Sequence, residues 1–594
     1  MNTVDTTRRD FLKAVGVGAA AVAAAPSALA AGESAGERPN VVFIITDDQG
    51  YGDLACHGNR IIETSNLDAL HGESVRLTDF HVGPTCSPTR ASLMTGRYCN
   101  RTGVWHTIMG RSLLGSGEVT VADAFAASGY RTGMFGKWHL GDNYPFRPQD
   151  RGFHDVLAHK GGGVGNTQDF WGNDYFDDTY FRNSTPEKFD GYCTDVWFAE
   201  AMKFIEANKN RPFFCYLSTN APHDPHLVPE KYIRMYTDKG VKEGLARFYG
   251  MITCIDENVG RLMRQLDSLG LTDNTILIFM TDNGGDPVGG QGKFNAGMRG
   301  WKGSMYDGGH RVPFFIRWPA GHLGGGQDIN RLTAHTDVMP TLIDLCGLKK
   351  PDGVAFDGTS LVPLLSGEAA NWPDRVIVTD SQRVDHPIKW RRNATMTDRW
   401  RLINGEELYD MDVDPGQEHD VADDHPETVQ GLRQAYEQWW ASVSETFDEY
   451  PRIVLGSPEE NPTRLTSHDI HGQVVWNQDQ VRRAQRCDGF WAVEIDRDGT
   501  YEFALRRWPR EADRPITEPV SAQKDEPESK RIVATDARLK VGDFDETKPI
   551  PPGATEVTFT ASLKAGKTRL QAWFINGLGD GATYGVYYVY ANRV

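Results

Sequence analysis

At 594 residues the chain exceeds what one hydrophobic core organises, so two or more domains are expected. Its 39% hydrophobic and 24% charged residues are ordinary for a globular protein. With 81 acidic against 63 basic residues the net charge is −18, which repels polyanions at long range. That argues against a nucleic-acid partner and requires a local cationic pocket for any anionic substrate.

The N-terminus reads Thr7-Arg8-Arg9-Asp10-Phe11-Leu12-Lys13, then the apolar run AVGVGAAAVAAA and the small-residue site Ala28-Leu29-Ala30. This order predicts a signal peptide over residues 1–31, and the paired arginines predict twin-arginine export to the periplasm or beyond. A lipid-anchoring helix is the alternative, but the run is short and alanine-rich for a span. No later segment carries the roughly 18 apolar residues of a membrane span.

Four continuously apolar runs predict buried parallel strands: Val41 to Ile45, Phe213 to Leu217, Thr275 to Met280 and Val312 to Ile316. Helical patterns lie between them. One starts near Thr120, pairs Val121 with Phe125 and stops at Gly129; another has Ile255, Val259, Leu262, Leu266 and Leu269 on one face before Gly270. Alternating strands and helices imply an α/β sandwich around a largely parallel sheet. After about residue 445 the character changes. A polar, proline-bearing stretch (446–469) reads as a linker, and two-residue alternation then sets in. Trp491, Val493 and Ile495, then Tyr501, Phe503 and Leu505, flank a turn at Asp496 to Gly499. Val557 to Leu563, Leu570 to Phe574 and Tyr584 to Tyr590 continue the pattern, predicting an appended β-sandwich over 470–594. Because its aromatics alternate like core residues, shielding or oligomer contact is favoured over carbohydrate stacking. The eight cysteines (56, 86, 99, 193, 215, 254, 346, 487) are too scattered for a disulfide scaffold and contain no C-x-x-C zinc pair.

Ligands of parallel sheets gather beyond the strands' carboxyl ends. There the first strand delivers Asp47 and Asp48, the third Asp282 and Asn283, and the second leads to His223. Three carboxylates and an amide suit a hard dication, Ca2+ or Mg2+, better than zinc. Each alone reads better as a turn or capping residue than as a ligand, but two such clusters after separate strands change that balance.

The segment Cys86-Ser87-Pro88-Thr89-Arg90-Ala91-Ser92-Leu93-Met94-Thr95-Gly96-Arg97 joins C-x-P-x-R to Thr-Gly four residues on. Over residues 38 to 445 the chain thereby resembles the formylglycine sulfatases of the alkaline phosphatase superfamily. Gly136-Lys137-Trp138-His139-Leu140-Gly141, Ala221-Pro222-His223-Asp224-Pro225, Gly300-Trp301-Lys302-Gly303 and Asp307-Gly308-Gly309-His310-Arg311 extend the resemblance in order. Asp357 to Leu361 and Glu407 to Asp410 match later landmarks, and Asp307 stands where the family often has Glu.

This resemblance implies an alkaline-phosphatase-like catalytic domain over 38–370 and a smaller α+β C-terminal subdomain over 371–445. It also implies hydrolysis of sulfate monoesters on sulfated carbohydrate or aryl sulfates. Cys86 is expected to be oxidised to formylglycine by a formylglycine-generating or sulfatase-maturating enzyme. Ca2+, with Mg2+ second, is expected on Asp47, Asp48, Asp282, Asn283 and residue 86. Arg90 would stabilise the ionised nucleophile, Lys137, His223 and Lys302 would neutralise sulfate, and His139 would remove a proton. Trp105 and His106 are candidates to line the mouth, as is the cationic, aromatic stretch Gln382, Arg383, His386, Lys389, Trp390, Arg391, although a solvated loop is at least as good a reading. The rival functions are a phosphodiester or phosphonate monoester hydrolase of the same superfamily and a non-catalytic polysaccharide-binding protein.

Overall fold

The computed structural model describes residues 38–288, 290, 293–368, 372–521, 528–577 and 583–594. The expected signal peptide over 1–31 lies outside the described residues. Among the described residues no helix is long and apolar enough to cross a membrane.

The larger domain, over the region expected to be catalytic, is built on a ten-stranded mixed sheet. Its central strands, in chain order, are β1 (Asn40–Thr46), β2 (Arg131–Lys137), β3 (Asp155–His159), β4 (Phe213–Ser218), β5 (Thr275–Thr281) and β6 (Phe314–Arg317). In space they run β6-β5-β1-β4-β2-β3, and β5, β1, β4, β2 and β3 are mutually parallel. Every residue of β1 is buried, because helices cover both faces. Val41, Phe43 and Ile45 point into one core; Val42 and Ile44 point into the other. Each such side chain contributes roughly 1.5–3 kcal/mol by leaving water.

The first core receives α1 (Cys86–Thr95) and α2 (Val121–Ala127), the latter opened by the Thr120–Asp123 capping box. The second receives α3 (Cys193–Asn208) and α4 (Glu243–Ser268). On α4, Ile255, Val259, Leu262 and Leu266 form the buried stripe, and the chain leaves the helix through Gly270 at φ +68°.

One strand differs from expectation. β6, read as parallel, runs antiparallel to β5, with Ile316 opposite Ile278. A parallel return needs a crossover to carry the chain to the sheet's other end. Among the described residues between 282 and 313 the only element is one short helical turn (Asp307–His310), and the chain doubles back beside β5.

A four-stranded antiparallel sheet from Ile377 to Asp410 and the helix Pro426–Val443 make up the smaller C-terminal subdomain. The stretch 446–469, expected as a linker, supplies strands instead: Ile453–Leu455 pairs with Asp488–Ile495, and Thr463–Thr466 pairs with Tyr588–Arg593. Pro451 and Pro462 flank these strands, where a missing N–H removes no ladder bond. Two sheets enclose a core containing Trp491, Tyr501, Phe503, Phe559 and Phe574, so the alternating aromatics face inward. Asp496 to Gly499 carries the chain between sheets: Asp488–Ile495 pairs with Gly566–Ile575, whereas Gly499–Arg506 pairs with Val557–Leu563. Leu113 and Phe146 of the catalytic domain join this core. All eight cysteines are free thiols.

Gly136, one residue before the end of β2, sits at φ +108°, and a Cβ there would lie 1.9 Å from the Ser218 carbonyl oxygen of β4. Only glycine lets these two strands close. Gly136→Ala therefore adds about 1–3 kcal/mol of backbone strain to a backbone clash. A fall of several degrees in Tm by scanning calorimetry is expected; an unchanged Tm would refute this account of the strand contact.

Candidate active site

The carboxyl ends of β5, β1, β4 and β2 converge, and each supplies polar groups. Asp47 and Asp48 follow β1, Asp282 and Asn283 follow β5, and all four are fully buried. Asp48 takes φ +67°, which turns its backbone N–H onto Asp282 Oδ1 at 3.1 Å. Asn283 Nδ2 donates to Asp48 Oδ1 at 2.9 Å, leaving its Oδ1 free of partners. Asp47 Oδ1 is likewise buried without a hydrogen-bond partner.

Cys86 is the first residue of α1, with all ten helical residues buried. Its sulfur, an Asp47 oxygen and an Asp282 oxygen lie within 4.8 Å of one another. The helix N-terminus directs a partial positive charge at residue 86 and favours an anion there. Four residues on, one turn along the same face, stands Arg90. It donates to Asp282 Oδ2 through NH2 at 2.8 Å and Nε at 3.2 Å, and to Ser218 Oγ at 2.5 Å.

Lys137, the last residue of β2, reaches Asp47 Oδ2 at 2.5 Å and is completely buried. Lys302 reaches Asp48 Oδ2 at 2.6 Å, and its loop is pinned on both sides. Its backbone N–H donates to Gly285 O at 3.2 Å, and that of Gly303 donates to Pro84 O at 2.8 Å. His223 Nε2 lies 3.7 Å from Asp48 Oδ2. The Lys302 and His223 side chains are 14% and 21% exposed against 0% for Asp48, so the cluster opens to solvent on their side.

The residues fit a dication. Asp47, Asp48 and Asp282 are balanced by Arg90, Lys137 and Lys302, so a bound dication leaves the site doubly positive and ready for an anion. Burial and the neighbouring Asp47 push the Asp282 carboxyl up to about 7. A cation between these carboxylates removes that repulsion. Two orphaned buried oxygens, on Asp47 and Asn283, offer hard ligands. Burial would also raise Asp48, but Lys302 and His223 hold it well below the carboxylate range. Asp48 in turn keeps Lys302 charged against its burial. Burial, reinforced by Lys302, lowers His223, and it pushes the Cys86 thiol up despite Lys137 and Lys302. The unmodified thiol is therefore a poor nucleophile.

The structure thus gathers Asp47, Asp48, Cys86, Arg90, Lys137, His223, Asp282, Asn283 and Lys302. His139 is buried at φ +61°, donating Nε2–H to Thr107 O at 2.9 Å while Nδ1 has no hydrogen-bond partner. Burial, Lys137 and His468 hold its ring neutral, well below the usual imidazole range. Trp105 does not line the mouth: it is enclosed, donating Nε1–H to Val384 O at 3.1 Å under the Arg111 guanidinium. Asp307, the shortened family position, still reaches Arg401 Nε at 3.1 Å.

Sequence reading missed Ser218, which accepts from Arg90, and His159, which lies in register with Lys137 on β3. It also missed His468 of the C-terminal sandwich, whose ring centroid is 6.3 Å from that of His139. Ser218 was detectable as the polar end of an apolar strand; His468 had no sequence signal.

The Sulfatase family model matches residues 39–348, more than half of the chain, and the N-sulphoglucosamine sulphohydrolase C-terminal model matches residues 297–440. Human arylsulfatase A is 32% identical over 472 residues, spanning 68% of this chain and 89% of that protein. The ulvan-active sulfatase of Formosa agariphila is 32% identical over 352 residues, spanning 54% and 64%. The crystal structure of Ps i-CgsB superposes with a TM-score of 0.63 at 27% identity, covering 70% of this chain and 95% of that one. It has also been solved in complex with k-i-k-neocarrahexaose. The sulfatase match spans the parallel sheet and every loop bearing the acidic and basic cluster: the chain belongs to the sulfatase family and hydrolyses sulfate esters.

Proposed function

We propose that the protein is a calcium-dependent sulfatase acting on sulfated carbohydrate through a formylglycine made from Cys86. The observation that carries this reading is the pair of buried oxygens that accept no hydrogen bond, on Asp47 and Asn283, in a carboxylate cluster that also meets Cys86 at a helix N-terminus. Asp47, Asp48, Asp282 and Asn283 would hold the Ca2+. Oxygen-only donors and the lack of a histidine set favour Ca2+ or Mg2+ over zinc. The hydrated aldehyde and the dication together supply an oxygen nucleophile of lowered pKa and polarise the sulfuryl group.

The chain's own residues do the rest. Arg90 and the α1 N-terminus stabilise negative charge at residue 86. Lys302 and His223, on the open side, receive the sulfuryl oxygens, with Lys137 behind them. A proton from His223 or Lys302 reaches the leaving oxygen. His139, neutral and with Nδ1 unpaired, accepts the proton that leaves residue 86 when sulfate departs. Burial of Cys86 in α1 supports oxidation before folding, by a separate maturating enzyme. Together with the twin-arginine pattern, this supports modification in the cytoplasm and a working enzyme in the periplasm or outside. A carbohydrate substrate is supported by the names of two relatives, one active on ulvan and one bound to a neocarrahexaose.

Three measurements test this. An aryl sulfate should turn over faster than the corresponding aryl phosphodiester; the reverse preference would reject a sulfatase. Mass spectrometry of the residue-86 peptide from active protein should find formylglycine, and Cys86→Ala should lose at least about a thousandfold in kcat; an unmodified thiol in active protein refutes the nucleophile. Adding Ca2+ to chelator-treated protein should raise Tm, by the equivalent of about 2.7 kcal/mol at a hundred times Kd. Asp282→Asn should abolish that gain, and an equal gain in the variant refutes the assigned ligands.

A further inference from the structure

A second buried cluster of charged groups adjoins the Lys302 loop. The strand Phe80–His81, five residues ahead of Cys86, is zipped to the segment that follows the turn Asp307–His310. Val82 N–H donates to His310 O at 2.8 Å, and Val312 N–H donates to Phe80 O at 3.0 Å. The same turn closes the loop that carries Lys302, through Gly308 N–H on Arg299 O at 2.9 Å. Its Gly309 O also accepts from the N–H of Gly284, the neighbour of Asn283, at 2.9 Å. Side chains complete the joint: His81 Nδ1 lies 2.9 Å from His310 Nδ1, and both rings are buried.

Two neutral imidazoles hold one hydrogen too few for these contacts. His81 Nε2 lies 2.9 Å from Asp79 Oδ1, and His310 Nε2 lies 3.0 Å from Met305 O. Burial would raise the Asp79 carboxyl, but Arg401 and His81 hold it well below the usual range, so its oxygens only accept. Each Nε2 therefore carries the ring hydrogen. Arg401 NH2 is 3.3 Å from His81 Nε2, but the carboxylate oxygen is nearer to that nitrogen and claims its hydrogen. A neutral imidazole has a single N–H, so two neutral rings would turn bare lone pairs at each other across 2.9 Å. A further proton turns that contact into a hydrogen bond. Burial and the His81 charge hold His310 down to about 3, which leaves His81 as the imidazolium. Charge balance agrees. Asp79 and Asp307 are met by Arg401 at 2.8 Å and 3.1 Å, and the extra proton makes this buried set neutral. Arg311 stands further off, at 3.8 Å from Asp79 and 3.7 Å from Asp307. His335, whose Nδ1 lies 3.1 Å from His81 O, is pushed down to about 3 by burial and stays neutral. A neutral packing pair would explain the burial, but not three hydrogen bonds made with two hydrogens.

We infer that His81 is a positioning residue for the reaction: as an imidazolium bonded to His310, it fastens the strand leading to residue 86 onto the turn that closes the Lys302 loop. Gly303 N–H on Pro84 O, at 2.8 Å, joins the same two segments at their other end. The shared proton thus sets how the Lys302 loop sits against residue 86. Losing it leaves two lone pairs in repulsion inside the protein and loosens the joint. The contribution is complete below about pH 6.5, where a histidine of the unfolded chain is itself charged, and it is lost as the pH rises through the titration of the pair. This role rests on the sulfatase reading of Lys302 and residue 86, whereas the shared proton does not.

The His310→Asn variant tests it. Its amide places an N–H where Nδ1 stood and donates to a neutral His81, so no extra proton is needed. The variant loses the bond to Met305 O and should be slower throughout. From about pH 6 to about pH 9, however, the unsubstituted protein should lose at least about threefold more kcat on an aryl sulfate than His310→Asn does. Titration of His223 or Lys302 is common to both proteins and cancels in that ratio. Superimposable pH profiles overturn the positioning role. Neutron diffraction from the unsubstituted protein at about pH 6 counts the ring hydrogens directly, whether or not the variant folds. Three on the two rings are expected, and two overturn the shared proton. Absence of aryl sulfate turnover in the unsubstituted protein counts against the sulfatase reading instead, and the hydrogen count then decides the proton alone.

Discussion

Three carboxylates buried at one point must be neutralised or protonated, because removing ionised groups from water costs several kcal/mol each. In this protein Asp47, Asp48 and Asp282 meet at the carboxyl ends of adjacent parallel strands with no exposed surface. Arg90, Lys137 and Lys302 answer them from three separate segments, each through a short ion pair. Every other feature of the site follows from this balance. Neutral without a dication, the cluster would become cationic with the proposed one, a local charge suited to an anionic ester in an acidic protein. The arrangement also bears on the proposed modification of residue 86. Burial pushes the Cys86 thiol up, so ionisation there needs chemistry that cysteine does not supply.

Holding six charges in register requires a stiff frame, and backbone devices provide it. The β2–β4 contact is possible only with Gly136, and it fixes Lys137 beside the strand bearing Ser218. Helix α1 sets Cys86 and Arg90 one turn apart on one face, so one helix presents both the residue-86 side chain and the guanidinium that braces Asp282. The Lys302 loop is tied by its backbone to the segments on either side of it, one following Asn283 and one preceding Cys86. Below it, Arg401 of the C-terminal subdomain holds Asp307 and Asp79 in a buried network. Acid and base groups are therefore positioned by elements that are rigid for reasons of packing.

The appended sandwich packs directly against the rest of the chain. Its core takes in Leu113 and Phe146, and its segment at His468 to His471 is hydrogen-bonded to the loop that holds His139. His468 is buried, with Nδ1 on Asp469 at 2.9 Å. A domain outside the matched family region thus reaches the loop that holds His139.

Sequence alone determined the parts whose physics is local. The continuous apolar runs had to be strands buried on both faces, the Thr120 and Gly270 signals had to bound helices, and the carboxylates after β1 and β5 had to share one end of a parallel sheet. The twelve-residue segment at Cys86 identified the family, and with it nearly the whole acidic and basic cluster. Tertiary structure decided what depends on partners far away in the chain. It turned β6 antiparallel for want of a crossover, and it drew residues 446–469 into sheets because distant strands offered them open edges. It also sent the chain at Asp496 to Gly499 between sheets, enclosed Trp105, and brought His468 to His139 from more than 300 positions away. Local patterns report which face of an element is buried; only the packed molecule reports what it is buried against.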